Sequence, residues 1–333
     1  MVEQRTENPR VAGSIPALGI FSCFFTNAYL AFVEKAVQGH LMSAKREFSG
    51  IGFIFGHVME KISIIIPFYN IGEILRDSVN SALSQDYDNI ELILVDDGST
   101  DNSFDIALEF EKKDPSIKIV KKPNGGPGDA RNAGLLEAEG EFVTFIDSDD
   151  VVTRDFVSSM RRLIDPENGF YHSMTALSFC DMSFTAPEFP VEQGGILIMS
   201  PQDYASNMTA ERITSSVVNR LYVRRVIEDN NILFHTDHGF WEDMKFNLEY
   251  IKATGTNTIY DQTVRYFARR HENSTTRGGT KDHDDEWVRS IASLYDFITN
   301  DPYWDSAVKE NVENMYGAAM IAEIERKKEL LKL

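Results

Sequence analysis

Cysteine is scarce. Cys23 and Cys180 are the two in 333 residues. Two thiols cannot form a disulfide framework, and without CxxC or Cys/His spacing the chain carries no zinc signature. A reduced, cytoplasmic setting fits that count. Positive charge is scarce too, with 33 Lys and Arg against 52 Asp and Glu, a net charge of −19. Nucleic-acid affinity rests mainly on Lys and Arg meeting phosphate, so no nucleic-acid partner is expected, though a local basic pocket for a diphosphate is compatible. No internal repeat is present. What remains, 42% hydrophobic and 26% charged residues, is the make-up of an ordinary globular protein long enough to bury a sizeable core.

Residues 1–58 do not read like the rest. Val11–Val33 holds no charged residue and follows Arg5 and Arg10, as in a signal peptide or a single membrane span. Pro16 and two glycines interrupt that run, and no small-residue cleavage site follows it. The expectation is an extension outside the fold, either not native (translated upstream DNA) or disordered, with the native start at Met59.

The informative stretch is Lys61–Asp155. Ile62–Ile66, Leu92–Val95, Ile117–Val120 and Phe142–Ile146 are short apolar runs suited to strands buried on both faces. Pro67 is expected to end the first, because proline cannot donate to a central ladder. Helix-spaced segments lie between them. Ile71, Ile74, Leu75, Val79 and Leu83 form one. Asn102–Lys113 forms another, with Phe104, Ala107, Leu108 and Phe110 toward the sheet. Pro127–Glu139 follows, entered through Gly125 and Gly126. This alternation implies βαβ units and a mostly parallel α/β sheet with helices on both faces. After Asp150 the pattern loosens. Helices are expected at Thr153–Leu163, Pro201–Asn207, Trp241–Ala253, Glu286–Thr299 and Ala307–Leu331, and strands at Phe179–Phe184, Gly195–Met199 and Thr263–Phe267.

In open parallel sheets ligands bind beyond the carboxyl ends of the strands. Polar clusters stand at those ends, Pro67–Asn70, Asp96–Ser99 and Asp147–Asp150. Asp147 and Asp149, one residue apart, can meet a hard cation such as magnesium or manganese and the ribose or diphosphate that travels with it. The same string also reads as a turn in which Asp149 or Asp150 caps the next helix. Asp97 can accept an N–H from a base, or belong to an Asp-Gly turn. Arg131, in the glycine-containing string Asn124–Gly134, can pair with phosphate, stack on a base or lie on a solvated face. Glu242-Asp243 either suits a helix dipole or supplies a general base for a sugar hydroxyl. Arg269-Arg270-His271 can neutralise a leaving diphosphate, with His271 as a metal ligand, or form a solvated basic edge. Asn273–Thr280 would suit a mobile lid. His235 and His238 read as structural or acceptor-side.

The strings SIIIPFYN, ILVDDGSTD, NGGPGDARNAG and FIDSDD, in this order, resemble the family 2 inverting glycosyltransferases of the GT-A fold. NRLYVRR, FWEDMKFNLE and YFARRHENST are similar to the acceptor half of bacterial cell-surface polysaccharide transferases. The resemblance implies that Pro67, Tyr69 and Asp97 line the nucleoside pocket, with Arg131 on the nucleotide. Asp147 would approach the ribose, Asp149 (the DXD position) would bind the divalent metal, and His271 would lie near it. Asp243 would be the base and Glu242 its support. Pro127-Gly128-Asp129 departs from the small residues the family pattern leads one to expect there.

The implied layout is an extension at 1–58, a GT-A domain at 59–275 and a C-terminal helical segment at 276–333. The domain would divide into a nucleotide half, 59–155, and an acceptor half, 156–275. The implied partners are a nucleotide-sugar donor, expected to be a UDP-sugar, and a glycan or lipid-linked acceptor. The latter would place the protein peripherally on the inner membrane face. Two alternatives stand beside this reading, a non-catalytic sugar-nucleotide-binding protein on the same fold and a nucleotidyltransferase. The second would carry a basic, glycine-rich loop where Pro67–Asn70 stands.

Overall fold

The seven residues Ile62–Phe68 are all buried, and Ile62, Ile64, Ile65 and Ile66 expose nothing, which requires cover on both faces. This strand, β1, is the centre of the fold. The computed structural model describes residues 59–181, 194–236, 241–270 and 284–330. The expectations for 1–58, His238, His271 and the loop Asn273–Thr280 lie outside the described residues.

In chain order β1 is followed by α1 (Leu75–Leu83), β2 (Ile90–Asp96), α2 (Ser103–Glu111), β3 (Ile117–Lys121), α3 (Pro127–Glu137) and β4 (Phe142–Phe145). Next come β5 (Val151–Val152), α4 (Phe156–Arg161), β6 (His172–Asp181), β7 (Ile196–Met199), α5 (Pro201–Thr209), β8 (Arg220–Val223) and α6 (Arg224–Asp229). The chain closes with α7 (Glu242–Thr254), β9 (Thr258–Arg270), α8 (Asp284–Thr299) and α9 (Ser306–Leu330). The sheet order is β3-β2-β1-β4-β8-β6-β9-β5, with β7 also on β9. The first four strands are parallel. β8 runs antiparallel to β4 and β6, while β9 lies parallel to β6. The strand order turns back at β1/β4, where such folds hold their ligands.

Pro67 does not end β1. The strand continues to Phe68, paired Pro67 to Val95 and Phe68 to Asp96. Phe68 faces β2, since its carbonyl accepts from Asp97 N–H at 2.9 Å. Pro67 therefore turns its missing N–H to the β4 side, where pairing has already stopped at Ile65–Phe145.

The other departures are local. On α2 the buried residues are Ser103, Ile106, Ala107 and Phe110, so Ile106 takes the inward place expected of Phe104 and Leu108, which are half-buried. Phe104 instead lies under the Lys121 ammonium, 3.7 Å from the ring centroid. Between Asp150 and the helix expected from Thr153, the short β5 pairs with β9, and α4 starts only at Phe156.

Gly134 lets α3 lie on the sheet, for a Cβ there would meet Ile65 Cγ2 at 2.4 Å. A second core gathers Met174, Met199, Met208, Met244, Leu294 and Trp304, so α5, α7, α8 and α9 pack together. Phe145, Phe234 and Phe246 join the two regions. Phe234 meets Phe145 edge-on at 5.4 Å and stacks on Phe246 at 4.3 Å, which seats α7 against the end of β4.

Candidate active site

Three strand ends and one helix start converge. The end of β1 is tied to the loop after β2 by Asn70, held at φ 47. Its N–H donates to Ser99 Oγ at 3.1 Å, and its Oδ1 accepts from the N–H groups of Thr100 at 2.7 Å and Asp101 at 3.3 Å. Asp96 caps the same turn, accepting from Ser99 N–H at 2.8 Å. Pro67 is buried beneath this mouth, and Tyr69 stands in it, 49% exposed. Asp97 is buried and fully engaged. Its oxygens accept from Gly125 N–H at 2.9 Å, Gly126 N–H at 2.8 Å and Lys122 Nζ at 2.6 Å. Lys122 also reaches Asp129 at 2.5 Å.

At the end of β4, Asp147, Asp149 and Asp150 each bring a carboxylate oxygen within 4.8 Å of the others. Three hard oxygen donors at that spacing fit a magnesium- or manganese-type ion. Asp150 is braced from β9: Tyr266 Oη donates to it at 2.6 Å and Arg269 N–H at 2.8 Å. It therefore does not serve as the cap of the following helix. Burial, with the charges of Asp147 and Asp149, pushes its carboxyl well above the usual range. Tyr266 Oη also accepts from Asp147 N–H at 3.1 Å, so one phenol orients both ends of the tetrapeptide.

Arg131 on α3 is buried rather than on a solvated face. Its Nη2 donates to Asp147 at 2.9 Å and its Nη1 to Asp243 at 3.0 Å, with Phe234 beneath the guanidinium at 5.5 Å. One forked cation thus joins the β4 carboxylates to the start of α7. Burial opposes its charge, but Asp243 and Asp147 outweigh that and raise its pKa further. The Asp243 carboxyl is pushed up by burial and pulled back by Arg131, while the Val217 N–H reaches its second oxygen at 3.3 Å. Burial and the adjacent Asp243 push Glu242 up to about 7. Trp241, just before this pair, has φ 67, a strained value for a bulky residue.

Arg269 is buried, with Nη1 on Asp77 at 2.9 Å and with Nε and Nη2 unpartnered among the described residues. It is not a solvated edge. His235 pairs with Glu249 at 2.9 Å, a structural contact. Tyr266, Lys122 and Phe234 escaped the sequence reading, because each acts through a contact remote in sequence, and Asp150 reads in the sequence as part of the cluster or as a helix cap, without its bracing from β9.

The family model for Glycosyl transferase family 2 matches residues 63–178, a span that contains the β1, β2 and β4 ends and Arg131. The chain belongs to glycosyltransferase family 2. It is similar to glycosyltransferase GlyG of Streptococcus pneumoniae, 28% identical over 71% of this chain and 78% of GlyG. Among solved structures it resembles residues 1–349 of TarS from S. aureus in complex with UDP-GlcNAc (23% identity, TM-score 0.62), a match over 79% of this chain and 73% of that one. It also resembles the mannosyltransferase PcManGT from Pyrobaculum calidifontis in complex with GDP-Man and Mn2+ (18% identity, TM-score 0.52), over 90% and 85% of the two chains. These likenesses establish the GT-A-like fold for this family 2 glycosyltransferase. Among the described residues, no helix is long and apolar enough to cross a membrane.

Proposed function

We propose that this glycosyltransferase moves a sugar from a nucleoside diphosphate, with UDP as the carrier, to a hydroxyl of a glycan or lipid-linked acceptor in cell-surface polysaccharide synthesis, with inversion at the anomeric carbon. The observation that carries the proposal is the Arg131 fork, which sets Asp243 opposite Asp147 across one guanidinium. Tyr69 and Pro67 would flank the base, and Asp97 would accept its N–H by exchanging one glycine amide for it. Asp147, Asp149 and Asp150 would hold a divalent cation, with His271 as a further ligand; when bound, it supplies charge stabilisation to the departing diphosphate. The unpartnered N–H groups of Arg269 suit the same anion.

Asp243 takes the proton of the acceptor hydroxyl. The oxygen then attacks the anomeric carbon from the face opposite the diphosphate, and the carbon–diphosphate bond breaks in the same displacement, with no covalent intermediate. Glu242 supports Asp243 from the adjacent position. TarS with UDP-GlcNAc and PcManGT with GDP-Man and Mn2+ support a sugar nucleotide and a divalent ion as ligands. A lipid-linked acceptor would bring this cytoplasmic protein to the inner membrane face as a peripheral one.

Calorimetric titration of UDP with and without manganese tests the site. Binding should need the metal and be lost in Asp149→Ala. Asp243→Asn should keep UDP binding and lose roughly 10²–10⁴ of transfer, the usual contribution of a general base. Wild-type transfer rates in that variant, or retention of configuration in the product, would sink the mechanism.

A further inference from the structure

Asp243 is held at both carboxylate oxygens from outside its own helix. Arg131 on α3 reaches Oδ1 at 3.0 Å, and the Val217 N–H reaches Oδ2 at 3.3 Å. Two donors on two oxygens restrain the carboxylate from turning, so the direction of its remaining lone pairs depends on where Val217 stands. Residues 214–217 belong to no helix or strand, so no backbone ladder fixes that position.

Side chains fix it instead. The Thr214 carbonyl accepts from Arg220 Nη2, and the Ser215 carbonyl accepts from Asn247 Nδ2 at 2.8 Å. Asn247 is buried, one turn beyond Asp243 on α7. Its Nδ2 also donates to the carbonyl of Asp243 itself at 2.9 Å, and its Oδ1 accepts from Tyr222 Oη at 2.7 Å. Carbonyls only accept, so the amide nitrogen must face both of them, and the phenol must donate to the amide oxygen. Both amide hydrogens are then engaged, and one side chain staples the 214–217 stretch to the first turn of α7. The staple lands on the residue that carries the carboxylate and two positions before the N–H that holds it. Among the described residues, neither Asn247 nor Tyr222 hydrogen-bonds to Asp97 or Asp147 through its side chain.

We propose that Asn247, oriented by Tyr222, is a positioning residue for the base. It fixes the Val217 N–H against Asp243 and so sets the angle at which the carboxylate meets the acceptor hydroxyl. The inference rests on the reading of Asp243 as the base.

Release of UDP from UDP-glucose, UDP-galactose and UDP-N-acetylglucosamine, with manganese, would be followed in the full chain beside calorimetric UDP binding. Water then stands in for the acceptor hydroxyl: Asp243 takes its proton, the oxygen bonds to the anomeric carbon, and UDP departs. Asn247→Ala should lower kcat on the fastest of these donors by roughly ten- to a hundredfold, the scale of a small misplacement, with donor KM and UDP affinity unchanged. Tyr222→Phe, which keeps the ring, should show the same split with a smaller loss, and it carries the test alone if Asn247→Ala does not fold. In an Asp243→Asn background neither substitution should lower the residual rate further, because a residue that acts through the base has nothing left to act on. Wild-type kcat in both variants, a parallel loss of UDP affinity, or an undiminished further loss in the Asp243→Asn background would overturn the positioning role and leave the base reading intact. A wild type that releases no UDP from any of the three donors, or an Asp243→Asn variant as fast as wild type, would overturn both.

Discussion

The two cores of the molecule differ in their share of methionine, 4 of 13 buried residues in one against Met160 alone in the other. Around β1 the core is Ile62, Ile64, Ile65, Ile66, Ile93 and Val95, stiff β-branched residues locked between parallel strands. Under α7 it is Met174, Met199, Met208 and Met244 with Trp304, and methionine fills irregular gaps by turning about three bonds. The family match, residues 63–178, takes in most of the first core, though not Val217, Val218, Leu221, Tyr222, Phe246 or Tyr266, and stops short of most of the second. The contrast separates two tasks. On the proposed function, the strand ends would fix the geometry of a nucleotide pocket, and a helix layer containing several methionines would tolerate repacking more readily.

Denaturant unfolding would break or sharpen that comparison. Ile65→Ala should cost about 3–4 kcal/mol, since the side chain is fully buried and leaves a cavity between β1 and α3. Met208→Leu, equally buried in the other core, should cost less than about 1.5 kcal/mol, being close to volume-conserving. Equal losses would remove the distinction.

Arg131→Met tests the residue that links the two regions. It should cost about 2 kcal/mol, less than a fully buried pair, because Asp147 is 36% and Asp243 21% exposed. Donor binding and transfer should fall together. Loss of transfer alone would confine Arg131 to the base. The smallest effect is expected from Glu242→Gln. An acid whose pKa rises from 4.5 to about 7 on folding holds its proton more tightly in the folded state. Wild-type stability should therefore fall as pH climbs through that window, and the variant should lack this slope. A slope of equal size in both would place the titration elsewhere.

The convergence of the candidate site was legible because each strand end declares itself locally. An apolar run stops at Asp96-Asp97 or at Asp147–Asp150, and the alternation of strand and helix brings these ends to one edge. The bracing was not legible, since Tyr266 meets Asp150 across 116 positions, and no local pattern marks a phenol that holds a carboxylate and a peptide N–H at once. β8 was missed for a related reason. Arg220, fully buried, opens that strand with no carboxylate partner among the described residues, its Nε on Tyr204 Oη and its Nη1 on Asn219 Oδ1, both at 2.6 Å. A charge so placed reads in the sequence as surface. Asp243 was legible as a helix-start acid, but its pairing with Arg131, 112 residues away, was not.

Pro67 has a consequence for the way the cleft persists. A sheet that ends in free amides tends to keep zipping, and β4 would gain a hydrogen bond by following β1 one step further. The pyrrolidine ring withholds that donor permanently, and Asp147–Asp150 lie just past the last β1–β4 pair, Ile65 with Phe145. The opening that admits a nucleotide is therefore written into covalent structure.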